Sequence, residues 1–465
     1  MFRLAYVRVV VVLGMLWGAL PCCGQASRQE LVVNPRFETR AGASLPEGWL
    51  AWRPDWEKAA CRLQRVAGGL EVKSQSDPYA VGGVVQHVKG IRADQAYRIA
   101  AVCELEDIAS PYRSVIVRIS WLNNGRLVHP AGMLVRGPIL EGRTARFSDV
   151  LTAPPDANEA KLSLEVKWPG RGSVLWKHVS LTAAPKPGPR YVKIGTVFMR
   201  PKRSTPQKNL ELWCEQIDAA GKLDLDIVCL GEVITRVGTE ASLQDAAQPI
   251  PGPVTQRLAR AAKDNDIWVV AGLTERFGDV VYNTAVLFDR KGRIAGTYRK
   301  THLPREEWKK GVRPGHQYPV FDTEFGRVAM QICYDWFFPE PTAILALHGA
   351  EIVFAPTWGN TLPDEDGMVN GETVFRVRAR DNGVYMVPSV YSGSSLVIDP
   401  MGRILASNEG KEGVFWAKVD LNRRECLRWV GHWRSIGPRD RMPETYQPLA
   451  AECPNGDGNE VAPRR

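Results

Sequence analysis

The chain has no extended block of lysine and arginine, no Cys-x-x-Cys pair, and, past its N-terminus, no apolar run of eighteen residues. The first absence argues against a nucleic-acid footprint: the formal net charge of +9 comes from scattered residues and reads as solvated surface. The second leaves no zinc-type ligand spacing. The third argues against a membrane span in the mature chain, which is expected to be soluble. The seven histidines form no Ser-His-Asp arrangement. What remains is globular in composition, 44% hydrophobic and 24% charged, with a high 15 tryptophans. At 465 residues, two domains are the natural expectation.

The N-terminus reads as an export signal. Arg3 and Arg8 precede the apolar run Val9 to Leu20, too short for a membrane span, and Gly24-Gln-Ala26 offers small residues for cleavage before Ser27. Residues 1–26 are therefore expected to be removed, and the protein to be secreted or periplasmic. Cys22 and Cys23 raise a lipid anchor, but Leu20 and Pro21 fit a lipoprotein site poorly. Export permits disulfides; Cys61–Cys103 and Cys426–Cys453 are conceivable pairs that sequence cannot establish.

Residues 27–184 have an all-β texture. Runs such as Ser114-Val-Ile-Val-Arg-Ile-Ser-Trp121 and Ala160-Lys-Leu-Ser-Leu-Glu-Val166 alternate at period 2 between Gly, Pro, Asn and Asp punctuation, which fits a β-sandwich. The opening Leu31-Val-Val-Asn-Pro-Arg-Phe-Glu38 with Leu45-Pro-Glu-Gly-Trp49, and the closing Gly172 to Leu181, resemble jelly-roll modules of the carbohydrate-binding, galactose-binding-like kind. That resemblance implies a sandwich and, more weakly, glycan contact. Trp49, Trp52, Trp56 and Trp121 could stack on sugars, and core packing is the favoured alternative for most of them. Residues 185–190, rich in proline, form a short stiff linker.

From residue 191 to about 450, strand and helix interleave, so an α/β layer fold is expected. A helix is expected from Pro206 to Ala220 behind a Thr205 cap, and others over Val254–Lys263, Glu340–His348 and Gly371–Asp381. Val328, Met330 and Ile332 alternate with Ala329 and Gln331 as a strand, and Cys333 stands where it runs out. A thiol there can be held by a rigid sheet yet face a cleft. Glu232 and Lys300 end two other strands. A carboxylate, an ammonium and a thiol at strand ends could share one pocket.

Those residues carry a second resemblance. Gly231-Glu232 behind Asp226-Ile-Val-Cys-Leu230, Tyr298-Arg-Lys-Thr-His-Leu-Pro304, and Ile332-Cys-Tyr-Asp335 with Phe338-Pro-Glu340 resemble the glutamate, lysine and cysteine motifs of the nitrilase superfamily, the carbon–nitrogen hydrolases. Gly349 to Trp358, Arg378 to Asn382 and Ile398 to Gly402 resemble its downstream blocks. Two departures are mild: Gly231 stands where proline is usual, and Asp381 where glutamate is. The resemblance implies a four-layer α-β-β-α sandwich with no metal and no organic cofactor. It implies Glu232 as general base, Cys333 as nucleophile, and Lys300 with the backbone N–H of Tyr334 as oxyanion stabilisers. A second glutamate, Glu307 with Glu306 as fallback, would assist. Trp336 and Trp358 are candidate pocket walls, and core packing is an equal alternative. Loop residues Thr361 to Met368 are expected at the entrance.

The reading is thus an exported thiol hydrolase of a small amide or N-carbamoyl compound. Nitrile hydrolysis, N-acyl transfer, or a sugar-binding protein with a spent hydrolase domain are the alternatives. A homodimer or higher oligomer is expected from the resemblance. Residues 451–465 are polar and expected to be a disordered tail.

Overall fold

The computed structural model describes residues 29–38, 44–130, 132–360, 371–427 and 431–450. The expected signal, the Thr361 to Met368 loop, Cys453 and the polar tail lie outside the described residues.

The N-terminal part builds two antiparallel six-stranded sheets around one core. One sheet holds Val81–Lys89, Glu159–Lys167 and Val115–Asn123 at its centre; the other holds Gly69–Lys73, Ser173–Ala184, Ala96–Glu106 and Thr144–Thr152. Alternation does the sorting. Val117 and Ile119 from the first sheet meet Ile99, Ala101, Phe147 and Trp176 from the second in a single buried cluster. Trp49 and Trp121 belong to that cluster, so both are core residues, whereas Trp56 is 70% exposed. Cys61 and Cys103 are free and buried, which corrects the conceivable pairing. Cys61 hydrogen-bonds through its backbone to Val81 at one sheet, while Cys103 lies in a strand of the other. Burial pushes each thiol up to about 12.

The C-terminal part places two mixed sheets face to face. One runs Ile294–Arg299, Val280–Phe288, Trp268–Phe277, Ile227–Cys229, Tyr191–Phe198, Gly413–Asp420; the other runs Val320–Asp322, Arg327–Met330, Ile352–Pro356, Tyr385–Ser389, Leu396–Ile398, Ile404–Ser407. Their central strands are apolar on both faces, as doubly covered strands must be. Ile352 and Phe354 meet Ile227, Cys229 and Val270 between the sheets. Val353 and Ala355 face outward to Leu345, Phe375 and Ala379 of helices Pro339–Leu347 and Gly371–Asn382. On the opposite side, Leu210, Cys214 and Ile217 of helix Pro206–Lys222 and Leu258 of helix Pro253–Asp264 cover Val228, Val269 and Val286. The result is helix, sheet, sheet, helix. Thr205 caps the first helix, accepting from the Lys208 N–H.

Segment 431–450 touches both parts: Arg434 donates to the Ala350 carbonyl at 2.8 Å on the C-terminal side. Lys167 pairs with Asp440 at 2.6 Å, and Arg113 with Glu444 at 2.8 Å. Nearby, Arg424 pairs with Asp149 at 2.7 Å.

Candidate active site

Three strand ends converge. Glu232 follows Ile227–Cys229, Lys300 follows Ile294–Arg299, and Cys333 opens a one-turn 3-10 helix, Cys333–Phe337, beyond Arg327–Met330. Lys300 Nζ lies 2.9 Å from Glu232 Oε1 and 2.9 Å from Glu307 Oε2. Glu232 hydrogen-bonds the Cys333 thiol, and the backbone N–H of Trp358 donates to the same sulfur. Glu307 enters from the short helix Arg305–Trp308, while its neighbour Glu306 faces solvent. The structure thus brings Glu232, Lys300, Cys333 and Glu307 together and leaves Glu306 outside.

The turn at Cys333 is forced. Its φ is +42°, a left-handed conformation that costs a non-glycine residue about 1–3 kcal/mol. Asp335 holds it. One carboxylate oxygen accepts from the Ile332 N–H at 2.9 Å and the Tyr298 hydroxyl at 2.7 Å. The other accepts from the His302 N–H at 3.0 Å and the Thr301 hydroxyl at 3.0 Å, and faces His302 Nδ1 at 2.9 Å. The residues flanking Lys300 are therefore tied directly to the cysteine turn. Burial would raise the Asp335 carboxyl, but the donors around it win and hold it below its ordinary range. His302 also stacks on Phe338 at 4.1 Å.

Glu232 is held from behind. Val233 takes a φ of +42°, and the Tyr391 hydroxyl donates to the Glu232 carbonyl. This explains glycine at 231. A Cβ there would stand 2.4 Å from Tyr391 Oη, and one on Gly272 would stand 2.7 Å from Glu232 Cα. Gly231→Ala is accordingly expected to lower the unfolding free energy by about 1–3 kcal/mol through overpacking, with a loss of any activity that depends on Glu232. Thermal unfolding and rate measurements on this variant check it; an unchanged Tm would contradict the tight fit.

The charges follow from the geometry. Burial pulls the Lys300 ammonium down, yet the Glu232 and Glu307 carboxylates beside it outweigh that pull, so Lys300 stays protonated well above its ordinary range. Burial, then the Glu232 carboxylate, pushes the Cys333 thiol up, against the pull of Lys300. The resting sulfur is therefore a neutral thiol beside a carboxylate that can take its proton. Burial raises Glu307, with Lys300 opposing. Tyr334 lies in the first turn of the 3-10 helix, where backbone N–H groups have no acceptor in their own helix.

The two tryptophans part company. Trp336 is 1% exposed, packed with Leu345 and Phe375, and lies in the core; its candidacy as a pocket wall is corrected. Trp358 is 45% exposed, edge-on to Tyr391 at 5.4 Å, with its backbone N–H on the Cys333 sulfur. Asn283, which the sequence reading did not single out, is the further member of the cluster. Its Nδ2 donates to Glu232 Oε1 and to Glu307 Oε1, each at 2.7 Å. The signal was a single amide inside the apolar strand Val280–Phe288. A cavity of about 870 Å³ lies elsewhere, against Arg136, Arg190, Arg424 and Arg434; none of the cluster lines it.

Residues 193–428 match the family model described as carbon–nitrogen hydrolase. The chain is 35% identical over 245 residues to a nitrilase of Pyrococcus abyssi, covering 50% of this chain and 90% of that protein. It is 30% identical to the omega-amidase NIT2 of Mus musculus, covering 48% of this chain and 87% of that protein. It is 29% identical to an N-carbamoylputrescine amidase of Solanum lycopersicum, covering 44% and 75% respectively.

Proposed function

The chain belongs to the carbon–nitrogen hydrolase family, and from that premise we propose that it cleaves an amide or N-carbamoyl group of a small molecule through a thioester on Cys333. The observation that carries the proposal is the buried contact of Lys300 Nζ with Glu232 Oε1 at 2.9 Å, beside a thiol that Glu232 hydrogen-bonds. A carboxylate, an ammonium and a thiol so placed suffice for acyl transfer. Glu232 takes the thiol proton as sulfur attacks the carbonyl carbon. Lys300 and the Tyr334 N–H stabilise the oxyanion. The C–N bond breaks, the proton held by Glu232 passes to the leaving nitrogen, and ammonia or an amine departs. Glu232 then takes a proton from water, whose oxygen attacks the thioester; the C–S bond breaks, the proton passes from Glu232 to the sulfur, and the acid departs.

The amide reading is favoured over nitrile hydrolysis because the nitrile branch of the family typically carries Cys-Trp-Glu where this chain has Cys333-Tyr334-Asp335, and because two of the three relatives above carry amidase names. Incubation with a panel of small amides and carbamoyl compounds should release ammonia, and a slow substrate should leave its acyl mass on the Cys333 peptide. Absence of both, or persistence of turnover in Cys333→Ala, would sink the proposal.

The rest of the chain is read in the same terms. Residues 1–26 act as an export signal, residues 27–184 as a jelly-roll module, 185–190 as its linker, and 191–450 as the hydrolase unit, with a polar tail over 451–465. The antiparallel two-sheet core supports the module. The exposed Trp52 and Trp56 support glycan contact. Mass spectrometry of protein recovered outside the cytoplasm should find the N-terminus near Ser27. Glycan-array binding by the full chain should fall in Trp56→Ala; equal binding, or none by either protein, removes the sugar reading.

A further inference from the structure

We propose that Asn283 is a positioning residue that holds Glu232 and Glu307 on Lys300 and leaves Glu232 Oε2 as the atom that takes the Cys333 proton. The inference rests on the proposed thioester chemistry and deepens it.

One Nδ2 carries two N–H groups, and here each has a carboxylate: Glu232 Oε1 and Glu307 Oε1, both at 2.7 Å. The orientation of the amide is dictated by charge. Turned over, its carbonyl oxygen would face two carboxylates. Asn283 is 3% exposed, and its Oδ1 is buried with no partner, so the residue accepts the cost of an orphaned acceptor to keep both donors where they are. Its backbone serves the third member, because the Asn283 carbonyl accepts the Lys300 N–H at 2.9 Å.

The consequence is atomic. Glu232 Oε1 already accepts from Lys300 Nζ at 2.9 Å and from Asn283. Two donors on one oxygen leave Oε2 as the oxygen free for a proton. When sulfur attacks, the S–H bond breaks, its electron pair forms the S–C bond, and the proton bonds to Oε2. It later leaves Oε2 for the departing nitrogen. With Asn283 in place the carboxylate cannot rotate to present Oε1 without losing both bonds.

The groups facing Glu232 are Lys300, Glu307, the Cys333 thiol and the Tyr391 hydroxyl, the last bound to its backbone carbonyl. Asn283→Asp keeps the shape and replaces the donors by a third carboxylate. The acid limb of the kcat/KM profile, which reports the base, should move to higher pH, because a nearby negative charge favours the protonated carboxyl. Asn283→Ala only removes the donors. Its kcat/KM should fall about 10- to 100-fold, the worth of hydrogen bonds to a charged group, with the acid limb moving the same way but less. Folded state is read by Tm and circular dichroism. A folded Asn283→Ala with unchanged pH profile and kcat/KM overturns the inference. So does a fall in kcat/KM with no movement of the limb in either variant, which a merely structural role would give. If Asn283→Asp fails to fold, the Asn283→Ala profile decides alone. The reading on which this rests fails differently: Cys333→Ala would then retain the wild-type rate.

Discussion

Lys300→Met should lower kcat by about 100- to 1000-fold, the usual loss when one oxyanion donor is removed. KM should change little, because the ammonium meets a full negative charge only in the transition state. The same substitution should also destabilise the fold, by about 3–5 kcal/mol, since breaking a buried pair strands the opposite charge. Methionine fills nearly the volume of lysine, so packing is not the cause. Lys300 is 1% exposed and contacts both Glu232 and Glu307 at 2.9 Å, so its loss leaves two carboxylates in one dry site. Side by side on the Asn283 amide, they cannot both stay ionised without cost, and one is pushed toward its protonated form.

That step has a sign. A carboxyl raised in the folded state binds its proton more tightly folded than unfolded. Its contribution to stability is present at low pH and lost as pH rises through its unfolded value and on toward its folded one. The Tm deficit of Lys300→Met relative to the natural chain should therefore grow between about pH 5 and pH 8. A deficit equal at both ends would mean that the stranded carboxylates are solvated. A kcat loss under about tenfold would remove Lys300 from the oxyanion role.

Some of this site was legible and some was not, for physical reasons. Glu232, Lys300 and Cys333 could be read because each stands within three residues of a strand's end, where a sheet can present a reactive group, and because the motifs around them carry the family resemblance. Glu307 required a choice between neighbours. On a four-residue helix, one residue of shift turns a side chain from cluster to solvent, and the choice rested on the resemblance. Trp336 could not be placed, because its environment is made by Phe375 on a helix some forty residues later, at 5.5 Å ring to ring. Asn283 was hidden by its strand: alternation says which face it takes but not that two carboxylates wait there. The Cys61 and Cys103 pairing was undecidable for a similar reason. Spacing along a chain does not say which of two facing sheets a residue joins. The layer order was easier, since runs apolar on both faces, such as Ile352–Pro356, demand cover on both sides.

Asp335→Ala should be as damaging as a change at the reacting atoms, although Asp335 has no proposed role at the substrate. Its carboxylate is fully buried and collects the Ile332 and His302 N–H groups with the Tyr298 and Thr301 hydroxyls. Removing it strands at least two buried donors at about 1–3 kcal/mol each. The left-handed turn at Cys333 then loses the cap that over-determines it. A sulfur displaced by about 1 Å costs on the order of 100-fold in rate. Asp335→Asn tests the charge apart from the shape. The Asp335 carboxyl is depressed in the folded state, so its stabilisation is full above its unfolded value of about 3.9 and is lost as pH falls through the lower folded value. The Tm gap between the natural chain and Asp335→Asn should thus be widest near neutrality and close as pH drops below about 4. Other depressed carboxylates, such as Glu351 and Asp289, weaken both proteins alike in acid and cancel in the difference. A gap that persists unchanged at low pH, or no gap at any pH, would take from the cysteine turn its electrostatic lock.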